Sequence, residues 1–250
     1  MPIKILKLYL YKMHVEILFE DDFIVITNKP ANILIHNSYY ARNIKDETLL
    51  EYLHRKFDHH FYPVHRLDRK TSGVLVLAKR KEDVSIFQTL FSTSHTEKIY
   101  LGIVRGFLLN KSITIDTPVK NPDTGIYKEA ETYCESLCSS QLNIPVHPYD
   151  TSRYSLVRLT PRTGRMHQLR IHMNKISHPI VGDYKYGDRF HNRMFENEFN
   201  CKNIFLHAYS IHFKHPITAH NINIKASFPN DWYLVFSYLG WKNNAVEYKK

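Results

Sequence analysis

The sequence predicts an α+β fold with a mostly antiparallel or mixed sheet. Strand patterns predominate along the chain, and several neighbouring strands have no helix between them, which argues against a doubly wound parallel sheet. A hydrophobic content of 43% over 250 residues is enough for a sizeable core. With only 8 Gly and no Gly/Ser-rich linker, the chain is expected to form one folded domain.

The first half of the chain alternates short strand patterns with two helical patterns. Three acidic turn residues, 20–22, separate the first two strands. Leu49, Leu50 and Leu53 recur at the spacing of a helix. The predicted elements are strands at 14–19, 23–27, 73–79 and 98–104 and helices at 48–57 and 83–91.

The second half is richer in strands and ends on a helix. In the helix predicted at 166–176, four apolar residues share one face, and His167, Arg170 and Asn174 form an adjacent polar stripe. Residues 188–200, rich in Arg, Asn and Phe, are expected to be a surface loop that contacts a binding partner. The other predicted elements are strands at 113–116, 129–137, 153–159, 203–213 and 221–228 and a helix at 231–239.

The net charge indicates a polyanionic partner without proving one. The formal charge is +10, from 34 Lys and Arg against 24 Asp and Glu. A basic surface favours nucleic acid, but a generic basic protein has the same balance. Charge therefore leaves both interpretations open.

Cysteine usage and the chain ends indicate a cytoplasmic protein. Cys134, Cys138 and Cys201 are too few for a disulfide framework, and no second ligand pair follows that would complete a zinc site. No apolar run reaches the roughly 20 residues of a membrane span. The first twelve residues lack the uninterrupted apolar core and small-residue cleavage site of a signal peptide.

A carboxylate surrounded by cations is the first candidate for chemistry. Asp68 lies in the segment HRLDRKTSG at 65–73, which runs directly into a hydrophobic strand. Its neighbours Arg66, Arg69 and Lys70 favour the ionised carboxylate, which can then act as a nucleophile or general base. The alternative interpretation, a charged loop before a strand, stays open on these residues alone.

Two further segments suit a nucleic-acid substrate. Gly164 permits a tight turn before a cationic helix start, which suits an anionic ligand such as phosphate, and Arg170 on that helix can reach a buried carboxylate. Tyr100, in the strand that opens with Lys98, can stack on an unstacked base. An ordinary amphipathic helix and a packing tyrosine are the alternatives.

Together these segments resemble the RluA-type pseudouridine synthase family. The similarity extends from about residue 14 to residue 241, and its motifs follow one another in the family's order. The matching motifs are NKP at 28–30, HRLDRKTSGVLVLAK at 65–79, KIY at 98–100 with IVRG at 103–106, RTGRMHQLRIH at 162–172 and LHA at 206–208.

The resemblance implies a fold and a role for each matching residue. The implied fold is a long mixed, mainly antiparallel sheet with flanking helices and a central active-site cleft. Asp68 matches the catalytic aspartate, Tyr100 the tyrosine that stacks on the target base, and Arg170 the arginine that pairs with the aspartate. Leu206 matches a packing residue near the pocket, and Arg66 matches a residue that enters the RNA. The residues expected to bind RNA are Arg66, Arg69, Lys98, Arg162, Arg165 and His167.

The implied reaction fits these residue types. It breaks the C1′–N1 bond, rotates the uracil and rejoins it through C5, so no electrons or external groups are exchanged and neither cofactor nor metal is expected. One ionised carboxylate attacks C1′ or the base, or removes the C2′ proton, and the sequence does not choose among these routes. The base must also leave the stack.

The choice of RNA is a finer expectation. Many relatives carry an N-terminal S4-type domain, but the NKP motif comes too early here to leave room for one. Residues 13–250 are therefore expected to be a single catalytic domain, with 1–12 as an N-terminal extension. The short chain resembles the branch that modifies uridine 65 of certain tRNAs.

Three kinds of alternative to that assignment exist. A large-subunit rRNA target or a different tRNA position keeps the enzyme class, whereas a catalytically inactive RNA-binding protein does not. The intact set of Asp68, Tyr100 and Arg170 argues against the inactive protein. A histidine-rich metal hydrolase is disfavoured because no HExxH motif or equivalent carboxylate spacing accompanies the histidines.

Overall fold

The computed structural model describes residues 14–37, 46–93, 95–121 and 124–241. The segment 1–12, expected to be an N-terminal extension, lies outside these residues. The strands are β1 Glu16–Glu20, β2 Ile24–Lys29, β3 Tyr62–Pro63, β4 Ser72–Ala78, β5 Thr96–Arg105, β6 Ser112–Ile115, β7 Val119–Lys120, β8 Tyr127–Lys128, β9 Thr132–Leu142, β10 Ser152–Pro161, β11 Leu206–Lys214 and β12 Asn221–Lys225. The helices are α1 Leu49–Phe57, α2 Val84–Ser92, α3 Gln168–Lys175, α4 Arg189–Phe199 and α5 Asn230–Tyr238.

A long sheet organises the molecule. Within the described residues ten strands join it, eight of them in the order β1-β2-β4-β11-β5-β10-β9-β6, while β3 pairs with β4 and β12 with β11. The pair β4–β11 is parallel and the other pairs are antiparallel. The mixed, mainly antiparallel sheet predicted from the sequence is therefore confirmed, whereas the sequence analysis missed the small separate hairpin β7–β8.

Helices pack on both faces of the sheet, and the central strand β4 is buried throughout. All seven residues of β4 are buried. Val74 and Val76 pack with α2 on one face, while Leu75 and Leu77 pack with α1 on the other, as the two-residue period of a strand requires. The helix α1 begins with a capping box at Thr48, where side chain and backbone bond reciprocally with Glu51.

The expected loop at 188–200 is instead the helix α4, which corrects the sequence prediction. Asp188 caps it by accepting hydrogen bonds from the backbone N–H groups of Phe190 and His191. The buried face carries Phe195 and Phe199, which pack into a core formed with α5. The many Arg and Asn residues lie among these apolar positions and hide their helical period.

The helix predicted at 166–176 begins two residues later than expected. Its first residue is Gln168, because His167 adopts a left-handed backbone with φ 56° and ψ 20°. Arg170, on the polar stripe predicted for this helix, is buried. The Gln168 side chain accepts hydrogen bonds from Thr163 Oγ1 and the Arg165 backbone N–H, so it fixes the loop that leads into α3.

The parallel contact of β4 with β11 joins two parts of the chain that are far apart in sequence. Gly73 lies opposite Ala208 with φ +109°, and an added Cβ there would lie 2.2 Å from the Ala208 carbonyl oxygen. Beside it, Ser72 Oγ and His207 Nδ1 are 2.8 Å apart. This approach brings the loop before β4 next to the start of β11.

We predict that Gly73→Ala destabilises the protein by at least about 2 kcal/mol, because left-handed strain adds to a backbone clash. Urea unfolding measures the change. Gly164→Ala is the matched control, because the Cβ at that position meets no atom within 4 Å. Equal free energies of unfolding for the two variants would contradict the prediction.

Candidate active site

A buried lysine donates a hydrogen bond to the loop that carries Asp68. Lys29, at the end of β2, donates hydrogen bonds from Nζ to the carbonyl oxygens of Pro30, Ile33 and Arg69 at 2.8–3.1 Å. Burial lowers the pKa of Lys29 to about 7, although the nearby charge of Asp68 opposes that shift. The lysine therefore ties the chain after β2 to the chain just after Asp68.

Arg170 joins two carboxylates from different parts of the chain. Its Nη1 donates to Asp68 Oδ2 at 2.9 Å, while Nε and Nη2 donate to the two oxygens of Asp183, both at 2.7 Å. Arg170 is 7% exposed and Asp183 is 1% exposed. The expected pair of Asp68 and Arg170 is thus present in the geometry, as part of a three-residue ion cluster.

Sequence analysis missed Asp183, the second carboxylate. It also accepts hydrogen bonds from the backbone N–H groups of Lys185 and Tyr186, so its position is fixed on several sides. Burial opposes its charge, but the contacts with Arg170 lower its pKa overall. The only sequence feature that marks Asp183 is a Gly–Asp pair that follows the apolar run 179–181.

His167 faces the same carboxylate from the start of α3. Its Nε2 lies 3.7 Å from Asp68 Oδ2, and its Nδ1 lies 3.1 Å from the hydroxyl of Tyr186. Burial lowers the pKa of His167, Asp68 raises it, and Arg170 and Lys185 lower it further. The imidazole is therefore a second titratable group beside Asp68.

Asp68, His167 and Arg170 line an open cleft with a volume of about 550 Å³. Tyr100 reaches it from the middle of β5 and the buried Leu206 from the first residue of β11. Burial and the charge of Asp68 both raise the pKa of Tyr100, so the phenol keeps its proton. The cleft thus combines an aromatic and apolar wall with one carboxylate and several cations.

The other cations predicted to bind RNA fall into two groups. Arg66 and Arg165 are exposed and line the cleft together with His167. Arg165 also donates to the Glu129 carbonyl oxygen. Arg69, Arg162 and Lys98 donate to protein oxygens on Asn32, Glu131 and Phe91 respectively. Among the residues that line the cleft, these three are absent.

A second groove continues from the cleft along the hairpin β7–β8. Arg66 and Arg165 border both spaces, and the hairpin adds Lys120 and Lys128. The exposed Tyr127 lies on the same hairpin. Sequence analysis assigned Arg66 and Arg165 to RNA binding but missed Lys120 and Lys128, which meet these arginines only through the fold.

The arrangement offers a fixed carboxylate, a neighbouring imidazole, a protonated tyrosine and a basic rim. This combination suits acid–base or nucleophilic chemistry on one unit of a polyanion. A family model described as RNA pseudouridylate synthase matches residues 23–175. The chain belongs to this family.

Relatives in the pseudouridylate synthase family match nearly the whole chain. The tRNA pseudouridine synthase C of Haemophilus ducreyi is 39% identical over 242 residues, which cover 92% of this chain and 97% of the relative. The protein of the same name from Pasteurella multocida is 37% identical and covers 94% of this chain and 100% of the relative. The family resemblance and its enzyme class, an isomerase, are thereby confirmed.

Solved structures of the family agree with the fold. The structure named Human RNA Pseudouridylate Synthase Domain Containing 1 is 25% identical with a TM-score of 0.68, and the match covers 86% of this chain and 84% of that one. Human RNA Pseudouridylate Synthase Domain Containing 4, at 24% identity and a TM-score of 0.69 over 90% and 93%, supports the fold alone. Among the described helices, none has both the length and the apolar character needed to cross a bilayer.

We predict that Asp183→Asn destabilises the synthase by about 3–5 kcal/mol, because it breaks a buried pair. We also expect turnover to fall on the order of 10²-fold, since the guanidinium loses its anchor and its geometry at Asp68. Glu196→Gln, which breaks the exposed pair with Lys202 (2.9 Å), is the control and should leave the free energy of unfolding close to that of wild type. Urea unfolding and single-turnover rates measure both variants.

The loss of unfolding free energy in Asp183→Asn depends on pH in one direction. The pKa of Asp183 is lowered in the folded state, so the stabilisation that its charge gives to the fold is complete above the unfolded pKa of about 3.9. That stabilisation is lost as pH falls through the folded pKa. The difference in unfolding free energy between wild type and Asp183→Asn should therefore shrink below about pH 4. A difference that stays constant down to acid denaturation would show that charge is not its source.

Proposed function

We propose that this synthase converts uridine 65 of tRNA to pseudouridine and works in the cytoplasm. The observation that carries the proposal is the near full-length identity of 37–39% to proteins named tRNA pseudouridine synthase C. The position within the tRNA follows from the resemblance of the short chain to the branch that modifies that uridine. Residues 13–250 are proposed to act as one catalytic domain.

Asp68 is proposed as the group that starts the reaction. It is half-buried at the cleft, and its loop is fixed on one side by Lys29 and on the other by Arg170. Arg170 stabilises its negative charge without neutralising the cluster, because Asp183 shares the same guanidinium. A carboxylate held in this way can attack the sugar or base, or remove the C2′ proton.

The walls of the cleft suit a flipped uridine. Tyr100 and Leu206 provide apolar surface for the uracil, and the protonated phenol keeps its stacking face uncharged. Arg66 is exposed at the cleft, two residues before Asp68 in the chain, where it can enter the space that the base leaves. These roles are the ones that the sequence resemblance implied.

The basic groove beside the cleft is proposed to bind the RNA backbone. Arg66, Arg165, Lys120 and Lys128 surround it, and phosphate contacts of this kind position an RNA without selecting the base. Selection then depends on the shape of the arm that places one uridine in the cleft. A tRNA T-stem is compact enough to bridge the groove and the cleft together.

We expect Asp68→Asn to reduce turnover at least about 10²-fold, because it removes the charge while keeping the size of the side chain. Folding and RNA affinity should stay close to wild type. Asp22→Asn, the same change at an exposed turn residue, is the control. Retention of more than about a tenth of wild-type turnover would remove Asp68 from the essential role.

The choice of RNA is tested by mapping pseudouridine in total RNA from cells with and without the gene. We expect one gene-dependent site, at position 65 in a subset of tRNAs. Complementation with wild type should restore it, and complementation with Asp68→Asn should not. A gene-dependent site found only in ribosomal RNA would refute the tRNA assignment and leave the enzyme class intact.

A further inference from the structure

We propose that His167 is the base that removes the C5 proton of the reattached uracil, the last bond-breaking step of the reaction. The proposal rests on the proposed function only through pseudouridine chemistry, and not on which RNA is modified. It gives a catalytic task to a residue that sequence analysis placed among the RNA-binding cations.

The chemistry requires such a base. Once C5 has bonded to C1′, C5 carries both the sugar and its original hydrogen, and a double bond joins N1 to C6. When a base takes the C5 proton, the C–H electron pair forms the C5=C6 bond and the N1=C6 pair moves to N1. N1 then takes a proton from water, so the atoms balance without any other reactant.

Few of the described groups that line the cleft can accept this proton. Arginines cannot, because they stay protonated in proteins. Tyr100 keeps its proton, since burial and Asp68 raise the pKa of its phenol. Asp68 Oδ2 already accepts a hydrogen bond from Arg170 Nη1 at 2.9 Å. His167 is a neutral base at the same cleft.

The imidazole is held in a geometry that serves this task. Its left-handed backbone, φ 56°, is a strained conformation for a residue with a side chain, and such strain concentrates at functional sites. When Nδ1–H donates to the Tyr186 hydroxyl, the lone pair of Nε2 is free on the side of Asp68. The two nitrogens thus have separate roles, one as anchor and one as acceptor.

The charged groups around the imidazole of His167 allow it to accept a proton and then to release it. Asp68 and Asp183 favour the imidazolium, whereas burial, Arg170 and Lys185 disfavour it. Tyr186, which packs edge-on against the ring, bonds to Nδ1. The imidazole is therefore neutral before the step, and after it Asp68 stabilises the charge until water takes the proton.

The test uses three forms of one RNA transcript that the wild-type enzyme modifies. They carry uridine, 5-deuterouridine or 5-fluorouridine at the target position. The 5-fluoro base can detach and reattach, but it has no C5 proton to lose. The first two substrates report the complete reaction, and the third reports only the steps that precede deprotonation.

For His167→Gln we expect uridine turnover to fall at least about 10²-fold. The isotope effect of the 5-deuterated substrate should become larger than in wild type, because deprotonation becomes rate-limiting. Rearrangement of the 5-fluoro substrate should change by less than about threefold, which also shows that the variant folds and binds RNA. Added imidazole should partly restore turnover in His167→Ala.

One control variant accompanies these measurements. His59→Gln makes the same change at an exposed surface position and should leave every rate unchanged. If His167→Gln slows the 5-fluoro rearrangement as much as uridine turnover, or leaves the isotope effect unchanged, the proposal is overturned. If the only transcript that wild type modifies is ribosomal, the tRNA assignment fails while the His167 test proceeds unchanged on that RNA.

Discussion

The sharing of one guanidinium between two carboxylates is the interaction on which the cleft depends. Asp183 accepts hydrogen bonds from Nε and Nη2 of Arg170, and Nη1 of Arg170 donates to Asp68. With two negative charges against one positive, the cluster keeps a net negative charge. Asp68 is therefore fixed in position within a negatively charged cluster, which suits the role proposed for it.

The sheet makes this cluster possible by bringing distant segments to one place. Asp68 precedes β4, Tyr100 lies on β5, Leu206 begins β11, and Arg170 comes from α3 after β10. These strands are neighbours in the centre of the sheet, where helices bury both faces. A central position gives every wall of the cleft a rigid support, which a site that needs fixed geometry requires.

The sequence predicted the fold class and the placement of Asp68 beside Arg170, because those features lie in local patterns and a matching motif. Helix α4 was missed because polar residues hide its period. Asp183 and Lys29 had no assigned role, since their importance arises from burial and from contacts across the chain. Lys98, whose role in RNA binding stays a prediction, donates to the Phe91 carbonyl oxygen, a partner that only the tertiary structure reveals.

The parallel contact of Gly73 with Ala208 also dictates when the site can form during synthesis of the chain. Strands paired across such a separation in sequence are late to assemble, because the loop between them must close first. The wall that includes Leu206 cannot be in place until β11 has left the ribosome. A nascent chain therefore already contains Asp68 and Arg170 while it is still unable to enclose a nucleotide.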